Sequence, residues 1–201
     1  NNTKIKSIRE RTFTTTGVTE TTDNDFDQTN TSQLYKLSML YNSNPNFQFE
    51  YDIFYRTADE DEFSQTTSTA RFQEDIASNR TQKPQQLNQN LNVYFTINEK
   101  HIFAFELQHS IQEENPLYKL QKERILFPDV LPLSQQTDGY LVQQNRFTKT
   151  NKLDGRLEYY YMLTDLSSMN LTAGTTQVRQ EYDSSMGNYV DGELDVFDIS
   201  N

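Results

Sequence analysis

His101 and His109 are the two histidines of the chain, and imidazole is the side chain most suited to hold a metal ion or move a proton near neutral pH. On one strand they share a face. Eight residues at the usual strand rise nevertheless separate them by roughly 27 Å, too far to share an ion, so an interfacial or loop-base position is the reading for each. Asp23, Asp25 and Asp27 match the first three ligand positions of an EF-hand loop. Gln28 then stands where that loop needs Gly, and Leu34 where it needs a bidentate Glu. The EF-hand reading fails. A looser loop-bound calcium site is the remaining metal expectation, at those residues, at Asp59, Glu60, Asp61 and Glu62, or among Asp191, Glu193, Asp195 and Asp198, with solvated loop acids as the default.

Adjacent carboxylates such as Glu113 and Glu114, or Glu50 and Asp52, suit glycoside chemistry only when they flank a sugar, and neighbours arise by chance in a chain with 29 acidic residues. No G-x-S-x-G nucleophile motif and no Gly-rich phosphate loop occurs in a sequence with 6 glycines. The absence of cysteine removes disulfides, thiolate metal sites and a Cys nucleophile. The expectation is therefore a protein without catalytic residues or cofactor. A formal net charge of -11, with 18 Lys and Arg spread thinly, lacks the basic patch that tracks a phosphate backbone, which excludes nucleic acid as a partner.

The elements that hold these residues follow a short, long, short, long rhythm. Three strand-like pairs are joined by tight turns at Ser43-Asn44-Pro45-Asn46, Asn98-Glu99-Lys100 and Thr164-Asp165-Leu166-Ser167-Ser168. Phe47, Phe49, Tyr51, Ile53 and Tyr55 alternate with Gln48, Glu50, Asp52, Phe54 and Arg56, the period of two that strands require. The same alternation marks residues 33–42, 90–98, 103–110 and 152–163. It weakens from Met169 to Gln180, where Gly174 marks a bend or bulge. Thr3 to Val18 reads as a weakly patterned strand that includes Thr14, Thr15 and Thr16. About seven strands result, with polar loops expected near residues 17–30, 57–88, 114–150 and 181–201.

Hydrophobic residues make up 34% of the chain, below the roughly 45–50% apolar share of a soluble domain. No apolar run approaches the roughly 20 residues of a spanning helix. A transmembrane β-barrel escapes that limit, because each strand needs only about 9–11 residues and only alternate ones face lipid. Short turns on one side and long loops on the other are its signature, and the charged face of Glu50, Asp52 and Arg56 suits a wet lumen better than a dry core. The fold class expected is thus an all-β, antiparallel transmembrane β-barrel segment with long extracellular loops, in contact with outer-membrane lipid. An odd strand count cannot close a single-chain bacterial barrel, and no signal sequence is visible, so the chain is expected to be part of a larger one. The rival is a secreted β-sandwich binding or adhesion module whose polar strand faces are solvated.

The 114–150 loop carries an apolar string with Leu117, Tyr118, Leu120, Ile125, Leu126, Phe127 and Leu131. Such residues avoid water, so the loop is expected to act as a lid over the barrel mouth or to meet an envelope or surface protein partner.

The stretches Leu91-Asn92-Val93-Tyr94-Phe95-Thr96-Ile97-Asn98-Glu99-Lys100-His101-Ile102-Phe103-Ala104-Phe105-Glu106-Leu107 and Thr150-Asn151-Lys152-Leu153-Asp154-Gly155-Arg156-Leu157-Glu158-Tyr159-Tyr160-Tyr161 resemble barrel segments of TonB-dependent receptor-like outer-membrane proteins. In particular they are similar to the Gram-negative group with a carboxypeptidase-regulatory-like domain before the barrel. The resemblance covers roughly residues 30 to 180 as a style of strand and turn. It implies a barrel of typically 22 strands with a plugged lumen, which takes up a bound nutrient with energy from the inner membrane. The matching stretches are spanning strands, so no functional residue carries over.

Overall fold

The tight turns organise a single sheet. The computed structural model describes residues 2–69, 73–124, 139–164, 166–190 and 193–197, and its ten strands form one antiparallel sheet. They are β1 (Asn2–Phe13), β2 (Val18–Asn44), β3 (Phe47–Thr69), β4 (Gln73–Gln82), β5 (Gln85–Asn98), β6 (His101–Glu114), β7 (Leu117–Lys122), β8 (Tyr140–Thr164), β9 (Ser167–Val190) and β10 (Glu193–Val196). No helix occurs among the described residues.

The three turns share one construction. The Asn44 and Asn98 side-chain carbonyls each accept the backbone N–H two residues on at 2.9 Å, and the Thr164 hydroxyl accepts that of Leu166 at 3.3 Å. These are the local side-chain closures that Asn and Thr supply in turns. A one-residue slip precedes each turn, leaving Ser43, Ile97 and Leu163 as bulges. The Thr96 N–H then reaches the Asn46 carbonyl at 2.8 Å, and the Met162 N–H reaches the Lys100 carbonyl at 3.0 Å. Neighbouring turns are thereby tied into one rim.

Two prolines and the short β10 explain why ten strands stand where about seven were expected. Thr57 faces Gln85 and Glu60 faces Gln82 in the same register, and Thr81 facing Leu117 continues the register of Gln85 facing Glu113. β4 and β5 are therefore one strand with a gap, as are β6 and β7. Pro84 and Pro116, lacking an N–H to donate, break the ladder there. Their carbonyls still accept from the N–H of Ala58 and Arg146, each at 3.1 Å, and the Asn115 side chain takes the Lys83 N–H at 3.2 Å. The pairings β3–β4–β7–β8–β6–β5 run in a ring around this gap. The architecture is an up-and-down meander of seven long strands plus the short β10, a barrel-like antiparallel fold.

Much of what was expected as loop is strand. Residues 18–30 belong to β2, most of 57–88 belongs to β3, β4 and β5, and 181–190 and 193–196 extend β9 and form β10. Within 114–150, residues 117–122 and 140–150 are strand as well. Residues 18–30, 57–82 and 181–190 are mostly polar on both faces, and 117–122 and 140–142 carry apolar residues without strict alternation, so the pattern that marks a strand with one apolar face is missing while the ladder continues. Thr14, Thr15 and Thr16 are not strand: they form the β1–β2 turn, which Gly17 completes at φ 65°.

Register assigns the side chains to two faces. Phe47, Phe95, Phe103, Tyr159 and Leu171 form one row across the sheet, and Tyr41, Phe49, Val93, Phe105, Leu157 and Ala173 form the next. Further rows are Met39, Tyr51, Leu91 and Leu107, then Leu37, Ile53 and Leu153, then Tyr35, Tyr55, Leu87 and Ile111. The following row, Gln33, Thr57, Gln85, Glu113, Lys149 and Glu181, is wholly polar. Behind the apolar rows, Glu50, Asn92, Glu106 and Arg156 share the opposite face, where Arg156 pairs with Glu106 at 2.7 Å.

No second layer covers the apolar rows among the described residues. The buried apolar side chains there are Ala58, Ala104, Tyr140, Val142 and Phe197, whereas Leu37 is 64% and Leu171 63% exposed. A β-sandwich requires two sheets packed face to face, and the described strands make one.

Candidate functional site

Beyond the polar row at Thr57, two further rows meet on the face opposite the aromatic one. Glu62, Arg80, Tyr118, Gln144 and Met186 stand side by side on β3, β4, β7, β8 and β9. Phe26, Ser64, Ser78, Leu120 and Val142 form the row beyond. Between them lies a cavity of about 430 Å³, within the usual range for small-molecule sites. Phe26, Tyr118, Leu120, Val142 and Met186 give it apolar walls, and Glu62, Arg80, Ser64, Ser78 and Gln144 give it polar groups.

A charged network fixes its edge. Arg80 donates to Glu62 at 3.0 Å and to the Gln82 side-chain carbonyl at 2.7 Å. Gln28 donates to the same Glu62 oxygen at 2.9 Å, while Glu60 accepts from Asn30 at 3.1 Å and from Gln82 at 2.5 Å. Burial works against the Arg80 charge, but the hydrogen-bonded Glu62 carboxylate outweighs it and holds Arg80 above its usual pKa, Tyr118 adding in the same direction. The Tyr118 ring also draws both neighbouring guanidinium groups: Arg80 lies 5.7 Å and Arg146 6.0 Å from its centroid, within cation–π range.

Of the apolar string read from the sequence, Leu117, Tyr118 and Leu120 lie in β7. Tyr118 and Leu120 line the cavity, and Leu117 falls on the other face by alternation. Ile125, Leu126, Phe127 and Leu131 lie outside the described residues. Sequence reasoning missed Phe26, Arg80, Val142 and Met186, which sit on four different strands, and took Glu62 only as a loop acid for calcium. Carrying the period-two reading of β3 past Thr57 is the signal that would have brought Glu60 and Glu62 onto one face.

The metal candidates are dispersed. Asp23 and Asp27 lie in β2 and pair with Lys6 at 3.6 Å and Lys4 at 2.9 Å. Asp59 pairs with Lys83 at 3.4 Å, Glu193 and Asp195 lie in β10, and Asp191 and Asp198 are outside the described residues. No group of three or more acids and histidines converges among the described residues.

Both histidines sit on the aromatic face. His101 shares a 2.6 Å hydrogen bond with the Tyr159 hydroxyl and stacks on Tyr161 at 4.8 Å. His109 lies between Gln89 at 3.2 Å and Asn151 at 3.1 Å, and Tyr51 donates to Gln89 at 2.6 Å. This polar file crosses the band beside a hollow of about 440 Å³ lined by Leu91, Leu107 and Leu153. Its side chains satisfy one another, as groups in an apolar setting must.

No known protein family matches the chain. No curated protein matches it. Among solved structures, the beta domain of the Bordetella autotransporter Brka aligns over 97% of this chain and 93% of its own at 6% identity, with a TM-score of 0.15. A likeness at that level carries no weight for fold or function.

Proposed function

We propose that this chain forms part of the wall of a bacterial outer-membrane β-barrel of the TonB-dependent receptor-like class, serving substrate uptake or an envelope complex. The observation that carries the reading is the uncovered apolar band on one face of a single-layer sheet. From Tyr161 to Asn151, β8 takes ten residue steps across it. That is about 33 Å along the strand and, at a tilt near 40°, about 25 Å in height, the thickness of the lipid-facing band of a barrel. Aromatic residues bound it: Tyr35 and Tyr55 stack at one limit, 6.3 Å apart, while Phe47, Phe95, Phe103, Tyr159 and Tyr161 crowd the other. Such girdles mark both interfaces of outer-membrane barrels.

The tight turns form the rim next to the band, the periplasmic side in this reading. The polar halves of β2, β3, β4, β8 and β9 then rise beyond the outer leaflet as a collar, with the cavity on its lumen side. The outer edges of residues 31–44 in β2 and 167–186 in β9 carry no neighbouring strand among the described residues. In hydrocarbon every backbone polar group needs a partner, so the reading requires further strands along both edges, as in a barrel of about 22 strands. Fractionation of the full-length protein tests the reading. Extraction only with detergent, with heat-modifiable gel migration, supports it; recovery in the soluble fraction without detergent overturns it.

A further inference from the structure

The hollow on the aromatic face has a donor end. Tyr51 donates to the Gln89 side-chain carbonyl, and the Gln89 amide nitrogen, 3.2 Å from His109 Nδ1, can only donate, so Nδ1 accepts. The His109 proton therefore sits on Nε2 and is given to Asn151 Oδ1 at 3.1 Å. The file thus runs in one direction, from Tyr51 to Asn151, and ends on the Asn151 amide nitrogen, a donor. Arg179 stands opposite Asn151 in register, and its guanidinium also only donates. Both side chains line the hollow. Arg179 pairs with Glu181 at 3.0 Å, with the two side chains 78% and 52% exposed. An exposed pair of this kind holds its members weakly, and one nitrogen on Glu181 leaves the rest of the guanidinium fork for a second acceptor. In the same row as Glu181, Glu113 and Lys149 pair with each other at 3.5 Å.

The other side of the hollow is apolar, made by Leu91, Leu107 and Leu153. Asn151 and Arg179 stand in the row where the apolar band ends, and the leucines lie in the rows inside it. The donors are thus at headgroup level and the leucines at the level of acyl chains. The row of Tyr51, Leu91 and Leu107 continues at Gly155. A Cβ there would meet Leu107 at 3.6 Å and Thr175 at 3.9 Å, ordinary contacts, and the register runs through without a bulge. Neither packing nor backbone demands glycine at 155, and a strand glycine without those reasons marks the close approach of another molecule. We propose that the hollow is a fixed site for one phosphate-bearing membrane lipid, its phosphate on the Asn151 amide and Arg179 and an acyl chain lying across Leu153 and Leu107 past Gly155. The site rests on the barrel-wall reading above, since lipid reaches this face only if the face lies in a membrane.

The test is native mass spectrometry of the full-length protein, stripped of lipid in detergent and titrated with dioleoyl phosphatidylethanolamine or with dioleoylglycerol, which has the same chains and no phosphate. The wild-type protein is expected to take up one phospholipid at least tenfold more tightly than a second, and at least tenfold more tightly than the diacylglycerol. Asn151→Asp keeps the acceptor for His109 and removes the donor; it and Arg179→Gln should each cut that preference at least fivefold. Leu153→Trp, which fills the hollow, should remove the tight first step, and Leu171→Trp, on the same face toward the rim, should leave it in place. A wild-type titration with no distinct first step, or with equal uptake of the two lipids, overturns the proposal without recourse to any variant. So does a preference that survives both Asn151→Asp and Arg179→Gln. The two readings fail in different measurements: the barrel reading in fractionation, the lipid site in this titration of protein already shown to need detergent.

Discussion

Arginine placed along one strand should cost an amount set by depth. On β6, Phe105 lies four residue steps from His101, about 13 Å into a band of about 33 Å measured along the strand. Ile111 lies ten steps from His101, at the far limit of the same face. A cationic side chain on the lipid face costs about 2–4 kcal/mol at the midplane and about 0–1 kcal/mol near an interface. Phe105→Arg should therefore destabilise the protein by about 2–3 kcal/mol more than Ile111→Arg, roughly a 30- to 160-fold difference in folding equilibrium at 1.36 kcal/mol per decade. Gln108→Arg, on the opposite face in a row with Asp52 and Asp154, should change stability by less than about 1 kcal/mol. The assay is urea-dependent folding of the full-length protein into defined lipid vesicles, read by heat-modifiable migration. In a water-soluble sheet burial would set the cost, and Phe105, 37% exposed, would be no worse a site than the half-buried Ile111. Equal costs at 105 and 111 would refute the depth argument.

Four further outcomes follow from the geometry. Glu62→Gln leaves Arg80, one of the less exposed cations at 28%, without its carboxylate and should cost about 1–2 kcal/mol in urea titration. Asp59→Asn, which breaks a pair exposed at 71% and 55%, should cost less than about 0.5 kcal/mol. Pro84→Val restores an N–H facing Ala58; a ladder bond worth about 0.5–1.5 kcal/mol is offset by about 0.4–1 kcal/mol of added freedom in the unfolded chain. Stability should thus move little while the amide introduced at position 84 is protected from hydrogen exchange, and free exchange there would show that the gap is not made by the proline. Asn98→Ala removes the side-chain acceptor of the Lys100 N–H and should cost about 0.5–1.5 kcal/mol in the same titration.

The band half of the fold was legible because its two faces differ in polarity. Residues 47–56 alternate, an apolar face against one that is polar but for Phe54, and the turns at Asn44 and Asn98 announce themselves by side chains that close them locally. The collar half was not legible. Asp59, Glu60, Asp61 and Glu62 are charged on both faces of β3, so polarity carries no period there. Only the ladder, set by register from the turn at Asn44, makes them strand. Pro84 and Pro116 read as loop punctuation, yet they sit within strands whose register passes through them unchanged. The cavity was hidden for a related reason: Phe26, Arg80, Tyr118 and Val142 are far apart in sequence, and cross-strand pairing alone places them together. Tyr118 and Leu120 were singled out for being apolar in a polar stretch, and that cue pointed to the cavity wall.

The central claim, that alternate residues of the band face hydrocarbon, is tested most directly by spin-label accessibility along β3. The chain has no cysteine, so single cysteines can be placed from Gln48 to Thr67 in the full-length protein in lipid vesicles. At Phe49, Tyr51, Ile53 and Tyr55, oxygen should broaden the spectra and a water-soluble nickel chelate should not. At Glu50, Asp52 and Phe54 the preference should be reversed or absent, and beyond Thr57 both faces should admit the chelate. Equal chelate access at Tyr51 and Asp52 would contradict the account.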